Sequence, residues 1–268
     1  IVVYLLFLLF GNEVFTIKSL IKRIFPITFS QWSFASTYFV LYLLSPFINR
    51  LLHSFDKKAY QLFLVLITII WCVIPSFTKQ TFQGNDLLWF VLLYCLAGYL
   101  HQFNPMQEKK PLFFFILSVV SIGLTYLSFI VFTLLGRKFV IFANNEMFFF
   151  SQNTITALFS STMIFLAFSR IKVSYNKGIN LIASTTFGIF LLHDDKYMRL
   201  FIWQTLFKNN SFANSKWLIP YSLFSIVVVF IVCSLIELCR KMALEKPFAN
   251  VIKTLANKIE KKIDTLFS

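Results

Sequence analysis

The chain has 268 residues, of which 58% are hydrophobic, 19% are aromatic and only 13% are charged. Because about one quarter of the residues in a soluble domain are charged, this composition excludes an ordinary soluble globular protein. The formal net charge of +14 does not indicate nucleic acid, since the basic residues flank apolar runs, where such residues set membrane topology and meet anionic headgroups. We therefore expect membrane lipids as partners and no nucleic acid.

Eight apolar runs follow one another along the chain, at residues 1–10, 34–52, 60–77, 87–100, 111–135, 148–168, 178–193 and 217–238. Runs of about 18 or more apolar residues are typical of transmembrane helices, and runs this long are not barrel strands. The sequence therefore predicts an all-α, polytopic helical membrane protein with about eight transmembrane helices. The four cysteines lie in or beside these runs without metal-ligand spacing, and we expect no disulfide.

The first run is too short to cross a bilayer, because ten residues of helix extend over only about 15 Å. It has neither the basic region nor the cleavage site of a signal peptide. We therefore expect that the chain begins inside a helix and that further residues precede it. Between the first and second runs, residues 16–27 (TIKSLIKRIFPI) mix basic and apolar side chains, a pattern that predicts a short amphipathic segment along the membrane surface.

The loop charges indicate an orientation. The odd-numbered gaps between runs carry 10 Lys and Arg, whereas the even-numbered gaps and the tail, together with Arg50 near the end of the second run, carry 15. The positive-inside rule places the even gaps and the tail in the cytoplasm. We thus predict a multi-pass protein of the cell membrane with a cytoplasmic C-terminus. Residues 1–239 form its transmembrane helical domain, and residues 240–268 form a basic amphipathic tail on the inner leaflet.

The seventh run ends at a histidine, which makes it the first candidate for chemistry. Residues 184–193 read STTFGIFLLH, and two aspartates follow His193. Ionisable groups at the end of a membrane-buried segment often mark function, and a neighbouring carboxylate such as Asp194 can orient an imidazole for proton abstraction. The alternative is a helix end with a polar cap, and the residues leave both interpretations open. His53 and His101 fit simple anchors at the inner interface.

Polar residues also gather on the side of the membrane that is predicted to lie outside. Amide and carboxylate groups combined with aromatic faces are typical of carbohydrate sites, and Trp32, Trp89 and Trp203 are predicted on the same side. Polar external loops with a tryptophan belt are equally ordinary in membrane proteins. The polar residues in question are Glu13, Gln31, Asp86, Asn144, Asn145, Glu146, Gln152 and Asn153.

On the inner side, Arg170 and Lys172 open a basic loop, RIKVSYNK. Such a loop suits the phosphates of a cofactor, but the positive-inside rule alone also accounts for it. The sequence has no Gly-rich phosphate loop, no metal-ligand cluster and no nucleophile elbow. In the last run, Glu237 is expected to pair with Arg240 three residues later.

Three stretches resemble motifs of the membrane-bound acyltransferase family 3. Residues 34–52 are similar to its aromatic-rich fourth helix, and residues 87–103 resemble a later helix. Residues 184–193 are similar to its signature Ser-x-Gly-Ile/Val-Tyr-Leu-x-His, with Phe replacing Tyr at one position. The matching positions of the first two stretches are Trp32, Tyr38, Tyr42, Leu43, Pro46 and Ile48, and then Tyr94, Gly98 and Tyr99.

This resemblance implies ten helices with both ends in the cytoplasm, of which the eight runs correspond to helices three to ten. It implies an enzyme that transfers an acyl group, most often acetyl from acetyl-CoA, to a hydroxyl of a cell-surface carbohydrate such as exopolysaccharide, O-antigen or peptidoglycan. The family's best-attested catalytic histidine lies on the first helix, and no histidine here matches that motif. His193 matches only the family's second, C-terminal histidine motif.

The resemblance and the residues together give the predicted site. His193 and Asp194 are the predicted catalytic residues: His193, oriented by Asp194, is expected to help position the acceptor, while the histidine of the family's first helix would be the base in a complete protein. Arg170 and Lys172 are predicted to bind the phosphates of acetyl-CoA as acyl donor. We expect a carbohydrate acceptor and no metal. Alternatives are an inactive remnant of such an enzyme, a polysaccharide flippase or other transporter, and a polysaccharide polymerase. The chain shows neither the internal repeat usual in transporters nor the large external loop usual in polymerases.

Overall fold

The computed structural model describes residues 2–11, 14–78, 80, 84–142, 145–245, 248–249, 253–254 and 257. Within these residues the chain forms helices and turns and no strand, which confirms the predicted all-α fold. The α-helices are α1 (Val2–Leu9), α2 (Ile17–Ile24), α3 (Ser33–His53), α4 (Lys57–Thr68), α5 (Ile74–Thr78), α6 (Asp86–Phe103), α7 (Pro111–Gly136), α8 (Ile155–Ser169), α9 (Lys177–Ala183), α10 (Thr186–His193), α11 (Lys196–Leu200) and α12 (Leu218–Arg240). Wide π-helical turns occupy Ile69–Val73, Phe201–Leu206 and Lys241–Glu245, and short 3₁₀ helices occupy Val140–Phe142 and Asn209–Phe212.

Four helical stretches in the described part of the chain are long and apolar enough to span a membrane. They are Lys57–Thr78, Asp86–Phe103, Pro111–Gly136 and Leu218–Ala243, and the shortest has 18 residues. About 20 residues of helix cross the hydrocarbon core of a bilayer, which is roughly 30 Å thick. The predicted class of polytopic helical membrane protein is therefore confirmed.

The other four predicted runs are helical but do not combine that length with that apolarity. The helix α3 has 21 residues, but Asn49 and Arg50 near its end make it more polar. The helix α8 has only 15 residues, because the Thr154 hydroxyl accepts a hydrogen bond from the backbone N–H of Ala157 and starts the helix there. The first run gives the eight-residue α1. Among the described residues, the number of helical stretches that meet both criteria is thus four, against about eight predicted.

The chain divides into two compact units. The central unit comprises Ser33–Val173, and the terminal unit comprises Ile1–Trp32 together with Ser174–Ser268. In the central unit, α3, the stretch Lys57–Thr78 and α6 pack together around fully buried side chains. This core contains Leu52, Tyr60, Leu64, Ile67, Cys72, Trp89, Leu92, Cys95 and Leu158.

Hydroxyl groups join the helices of the central unit. The fully buried Ser76 hydroxyl accepts a hydrogen bond of 2.8 Å from the backbone N–H of Ile155 at the start of α8. The Tyr60 hydroxyl donates to the Cys95 carbonyl of α6 over 2.8 Å. Gly98 permits this approach, because a Cβ at that position would lie 2.8 Å from the Tyr60 oxygen. The motif glycine of α6 therefore has a packing role.

The two motif tyrosines of α6 also bridge helices. Tyr94 donates its hydroxyl hydrogen to Oδ1 of Asn49 in α3 over 2.9 Å. The side-chain amide of Gln61 in α4 donates to the Tyr99 hydroxyl over 2.6 Å. Side-chain hydrogen bonds of this kind hold membrane helices together where apolar packing alone gives little preference. The two tyrosines therefore join α6 to α3 and to α4.

The helices α7 and α8 form an antiparallel pair in the central unit. Their interface buries Phe114 completely and places it in one cluster with Met163, Leu166 and Ala167. The Ser121 hydroxyl of α7 donates to the Thr156 carbonyl of α8 over 3.2 Å. The start of α7 therefore lies beside the end of α8, where Arg170 follows.

In the terminal unit, the predicted continuous segment at residues 178–193 is broken. The hydroxyls of Ser184, Thr185 and Thr186 each donate to the backbone carbonyl three residues earlier, over 2.7, 2.7 and 2.8 Å. Such bonds can bend a helix, but they do not suffice to end one, since Ser160, Ser161 and Thr162 bond back in a similar way inside the unbroken α8. At the break the backbone N–H of Thr185 also bonds only three residues back, to the Ile182 carbonyl over 2.9 Å, and α9 ends before α10 begins. The prediction of one uninterrupted segment is therefore wrong, and its physical reason is this tight turn of the backbone.

The remainder of the terminal unit packs around α10 and α12. Its core contains Ile189, Ile202, Phe207, Val229 and Cys233. The predicted amphipathic segment at residues 16–27 forms α2, which begins where the Thr16 hydroxyl accepts from the N–H of Ser19 over 3.2 Å. Its place on the membrane surface stays a prediction.

The helix α12 ends at Arg240, and the predicted boundary between residues 1–239 and 240–268 stays a prediction. The π-helical turn Lys241–Glu245 continues that helix. Most of the following residues lie outside the described part of the chain. The amphipathic tail on the inner leaflet therefore stays a prediction.

Candidate active site

His193 is the last residue of α10, where the apolar segment ends. Its Nδ1 lies 2.7 Å from the carbonyl oxygen of Ile189. Because a carbonyl oxygen only accepts, Nδ1 carries the hydrogen, and Nε2 of the neutral ring keeps its lone pair. The half-buried ring meets the Phe190 ring at a steep angle, with centroids 6.4 Å apart. A backbone carbonyl thus orients the imidazole and leaves Nε2 as its basic atom.

Asp194, the predicted orienting carboxylate, pairs with a different residue. Its Oδ1 lies 3.5 Å from Nη1 of Arg199, and the two side chains are 36% and 58% exposed. An ion pair this exposed contributes roughly 0–1 kcal/mol. The orientation of the His193 ring therefore comes from Ile189, and the catalytic roles of His193 and Asp194 stay predictions.

Asp195 forms a buried ion pair that the sequence did not indicate. One carboxylate oxygen contacts the guanidinium of Arg23 in α2, and the two side chains are 3% and 7% exposed. The other oxygen accepts from the N–H of Tyr197 over 3.0 Å and caps the start of α11. The partners are 172 positions apart in sequence. The available signals were only a second acid after His193 and a cation in an amphipathic segment.

Aromatic rings cover this ion pair. The Arg23 guanidinium lies 4.8 Å from the centroid of the Tyr197 ring, within the range of a cation–π interaction. Tyr197 in turn stacks on Tyr4 and Phe7 of α1, at centroid distances of 6.3 and 5.5 Å. The turn that follows His193 is therefore fixed by α1 and α2 together, through one ionic and aromatic cluster.

A second ion pair lies beside α10. Arg240 donates through Nε and Nη2 to the two carboxylate oxygens of Glu237, over 2.7 Å each, which confirms the predicted pair. Gly188 of α10 makes room for this carboxylate, because a Cβ there would lie 2.2 Å from Cδ of Glu237. Lys241 also donates to the Ser184 carbonyl at the helix break. The motif glycine of α10 is thus required by the close approach of α12.

The predicted cofactor residues Arg170 and Lys172 lie in the central unit. Arg170 directly follows α8 and donates through Nη2 to the Pro105 carbonyl over 3.0 Å. It lines a cleft of about 470 Å³, here called the Arg170 cleft. Lys172 is exposed and does not line it. The lining residues are Ala97, Leu100, His101, Asn104, Gln107, Lys109, Pro111, Phe165, Leu166, Ser169 and Arg170.

The polar residues predicted on the outer side are only partly brought together. The amide of Gln152 donates to Oδ1 of Asp86 over 3.4 Å in the central unit. Trp89 is 8% exposed and packs in the core, so its ring face is not open to a sugar. Glu13 and Asn144 lie outside the described residues. A carbohydrate site at these residues stays a prediction.

Metal-ligand and thiol chemistry have few candidate residues in this structure. No group of three or more His, Cys, Asp or Glu that could hold a metal ion occurs among the described residues. All four cysteines are free, and Cys72, Cys95 and Cys233 are buried while Cys239 is exposed.

Comparison with known proteins supplies the class of reaction. The family model for the acyltransferase domain of acyltransferase family 3 matches residues 1–238. No curated protein and no solved structure matches the chain. The matched region contains His193, the Arg170 cleft and nearly all of the four spanning stretches. The chain therefore belongs to acyltransferase family 3 and is a helical membrane acyltransferase.

Proposed function

We propose that the protein transfers an acyl group, in the first instance acetyl, from acyl-CoA to a hydroxyl of a cell-surface polysaccharide, and that His193 acts on this hydroxyl. The observation that supports this role is the imidazole itself, whose Nδ1 is held 2.7 Å from the Ile189 carbonyl. Nε2 is left to accept a proton. Histidine is the side chain that most often serves as general base, and a fixed ring needs little reorganisation.

The reaction requires two proton transfers and one exchange of bonds. The acceptor hydroxyl gives its proton to Nε2 of His193, while its oxygen bonds to the acyl carbon of the thioester. The carbon–sulfur bond breaks, and coenzyme A leaves as a thiolate that takes the proton from Nε2, which returns the imidazole to its neutral form. In this proposal the partly exposed carboxylate of Asp194 accepts hydrogen bonds from neighbouring sugar hydroxyls.

The loop charges supply the orientation of this proposal. We place the C-terminus in the cytoplasm of the cell and His193 toward the outer face of the cell membrane. The acceptor polysaccharide then approaches from outside, and acyl-CoA from the cytoplasm. The first and second residues after His193 belong to a turn that α1 and α2 hold in place, so the base has a rigid support.

The test compares two histidines in cells that make the polysaccharide. His193→Ala should lower the acetyl ester content about a hundredfold or more, since general base catalysis contributes roughly 10²–10⁴-fold. His53→Ala is the matched control, because His53 is exposed at the end of α3. It should leave the ester content unchanged. The ester content is measured on purified polysaccharide and normalised to the amount of protein in the membrane.

Two results would contradict the proposal. The first is normal ester content in His193→Ala at normal membrane abundance, which would remove His193 from the reaction. The second is an ester content that is the same with and without the gene, which would favour a transporter or an inactive relative. His193→Gln, which keeps a side chain of similar length, separates loss of the base from loss of packing.

A further inference from the structure

The guanidinium of Arg170 has one nitrogen without a partner. Its Nη1 is buried and has no hydrogen-bond acceptor among the described residues, whereas Nη2 donates to Pro105 and, over 3.3 Å, to Asn104. One face of the group lies 4.4 Å from the centroid of the fully buried Phe114 ring. A buried cationic donor without an acceptor is unfavourable. A ligand acceptor in the Arg170 cleft would remove that cost.

The remaining lining of the Arg170 cleft also favours an anion. Lys109 lies on its wall, and none of the residues that line it is acidic. Pro111, the first residue of the 26-residue α7, lines it too, and no side chain caps this helix at Lys110. The N-terminus of a helix carries partial positive charge and unpaired N–H groups that attract phosphates. Three independent features thus point to negative charge at the same place.

The backbone at the edge of the Arg170 cleft is in an unusual conformation. Asn104 and Met106 have φ values of 38° and 59°, in the left-handed region. Asparagine tolerates this region, but methionine rarely adopts it, and such residues concentrate at ligand sites. Arg170 holds this turn through its hydrogen bonds to Asn104 and Pro105. The same side chain therefore fixes the turn and faces the cleft.

We infer that the Arg170 cleft binds a phosphate group, with Nη1 of Arg170 and the ammonium of Lys109 as its donors. A guanidinium matches two phosphate oxygens and an ammonium adds a point charge. The phosphate belongs either to acyl-CoA, in which case the inference rests on the proposed function, or to an anionic lipid headgroup. Both sources reach the site, because it lies at the ends of two spanning stretches, Asp86–Phe103 and Pro111–Gly136.

The first experiment measures binding of coenzyme A to the purified protein in nanodiscs of neutral lipid, by calorimetry. Arg170→Met and Lys109→Gln should each weaken binding by about ten- to a hundredfold, the effect of losing a charge-assisted hydrogen bond. Lys109→Gln leaves the contacts of Arg170 with the turn intact, so it tests the site even if Arg170→Met does not fold. Lys58→Gln, which removes the same charge at an exposed position outside the cleft, should change binding by less than about twofold.

The second experiment distinguishes the two sources of phosphate. If coenzyme A does not bind, the protein is placed in nanodiscs that contain phosphatidylglycerol, and the retained lipid is counted by mass spectrometry. Loss of that lipid in Arg170→Met and Lys109→Gln, but not in Lys58→Gln, supports a headgroup site. The inference is overturned if neither probe binds, or if all three variants weaken binding equally. Since neither binding experiment contains the polysaccharide, their outcomes are independent of the ester measurement on His193.

Discussion

The central and terminal units bury polar groups of different kinds. Among the described residues of the central unit, the buried polar side chains are all hydroxyls, namely Ser36, Ser76, Ser118, Ser121 and Thr154. In the terminal unit, the buried set includes three charges, Arg23, Asp195 and Glu237. Three of the four spanning stretches lie in the central unit, whereas His193 lies between short helices in the terminal unit.

Buried hydroxyls and buried charges differ in how much stability is lost when their partners are removed. A buried hydroxyl needs one hydrogen bond, and the nearest helical carbonyl can accept it. A buried charge needs an opposite charge in good geometry, and removal of that partner leaves an uncompensated ion. Charged groups in a membrane protein are for this reason rare and usually functional. Matched substitutions should therefore cost more in the terminal unit than in the central unit.

The largest effect is expected for the Arg23–Asp195 pair. Asp195→Ala leaves the Arg23 guanidinium buried without its carboxylate, which should lower the free energy of unfolding by about 3–5 kcal/mol. The measurement is denaturant unfolding in mixed micelles. The double variant Arg23→Met/Asp195→Leu should recover most of the loss, because two apolar side chains replace two charges.

Asp194→Ala is the control, since it removes a neighbouring carboxylate from an exposed pair with Arg199. Its cost should stay below about 1 kcal/mol. Equal losses for Asp194→Ala and Asp195→Ala would show that burial does not separate these two acids, and the contrast between the units would then lose its main support.

The next effect compares one glycine from each unit. Gly188→Ala places a Cβ 2.2 Å from Cδ of Glu237, whose carboxylate is held by two hydrogen bonds from Arg240. The side chain cannot yield without breaking them, so the cost should approach the upper end of the roughly 1–3 kcal/mol of overpacking. In α7, a Cβ on Gly123 meets nothing within 4 Å. Gly123→Ala should stabilise the helix by up to about 1 kcal/mol.

Parallel unfolding curves for the two alanine variants decide this prediction. Destabilisation by Gly123→Ala of the same size as by Gly188→Ala would mean that the space around each glycine does not control the result. A further variant, Gly188→Ala in the background Glu237→Ala, should lose less stability than the two separate changes together, because the clash requires both side chains.

The sequence predicted the long apolar helices well and the contacts around His193 poorly, for a physical reason. Hydropathy depends only on composition within a window, so the runs at residues 60–77, 87–100, 111–135 and 217–238 reappear as the four spanning stretches. It is insensitive to the backbone hydrogen bonds that divide residues 178–193 into α9 and α10, so the break at Ser184 and Thr185 was missed. The three hydroxyl residues there were no clear signal, because α8 also contains three in succession and continues.

Contacts over long sequence distances explain the remaining failures. The Glu237–Arg240 pair was predictable, because its members are three residues apart on one helix. The Arg23–Asp195 pair joins positions that only the folded chain brings together, and the two aspartates after His193 look alike in the sequence. Lys109 was likewise counted only among the charges of an even-numbered gap. Only the packing of α6, α7 and α8 brings it to the cleft that Arg170 lines.

A smaller effect is expected within the central unit at Ser76. Ser76→Ala removes the acceptor of the Ile155 N–H at the start of α8 in a fully buried position. The expected loss is on the order of 1.5 kcal/mol, the cost of one buried donor left unpaired. Ser54→Ala is the control, because this exposed hydroxyl donates only within its own turn, to the Leu51 carbonyl. It should change the free energy of unfolding by less than about 0.5 kcal/mol.

If Ser76→Ala lowered the free energy of unfolding as much as Asp195→Ala, buried hydroxyls and buried ions would cost the same to disrupt. The distinction between the two units would then be lost. Hydrogen exchange at the first turn of α8 gives a local readout, since the Ile155 amide should exchange faster in Ser76→Ala. Unchanged exchange there would show that another acceptor replaces the serine.

The smallest effect is expected at Tyr60, and it tests how closely the central helices approach. Tyr60→Phe removes a hydroxyl that donates to the Cys95 carbonyl, which should cost about 1 kcal/mol. Gly98→Ala alone should cost more, because its Cβ would lie 2.8 Å from the same hydroxyl. In the double variant the hydroxyl is absent, so Gly98→Ala should then cost about 1 kcal/mol less than in the wild type. Strict additivity in this cycle would mean that position 98 requires glycine for a reason other than Tyr60. The expected coupling would show that the Tyr60 oxygen excludes a Cβ at Gly98, as the Glu237 carboxylate excludes one at Gly188.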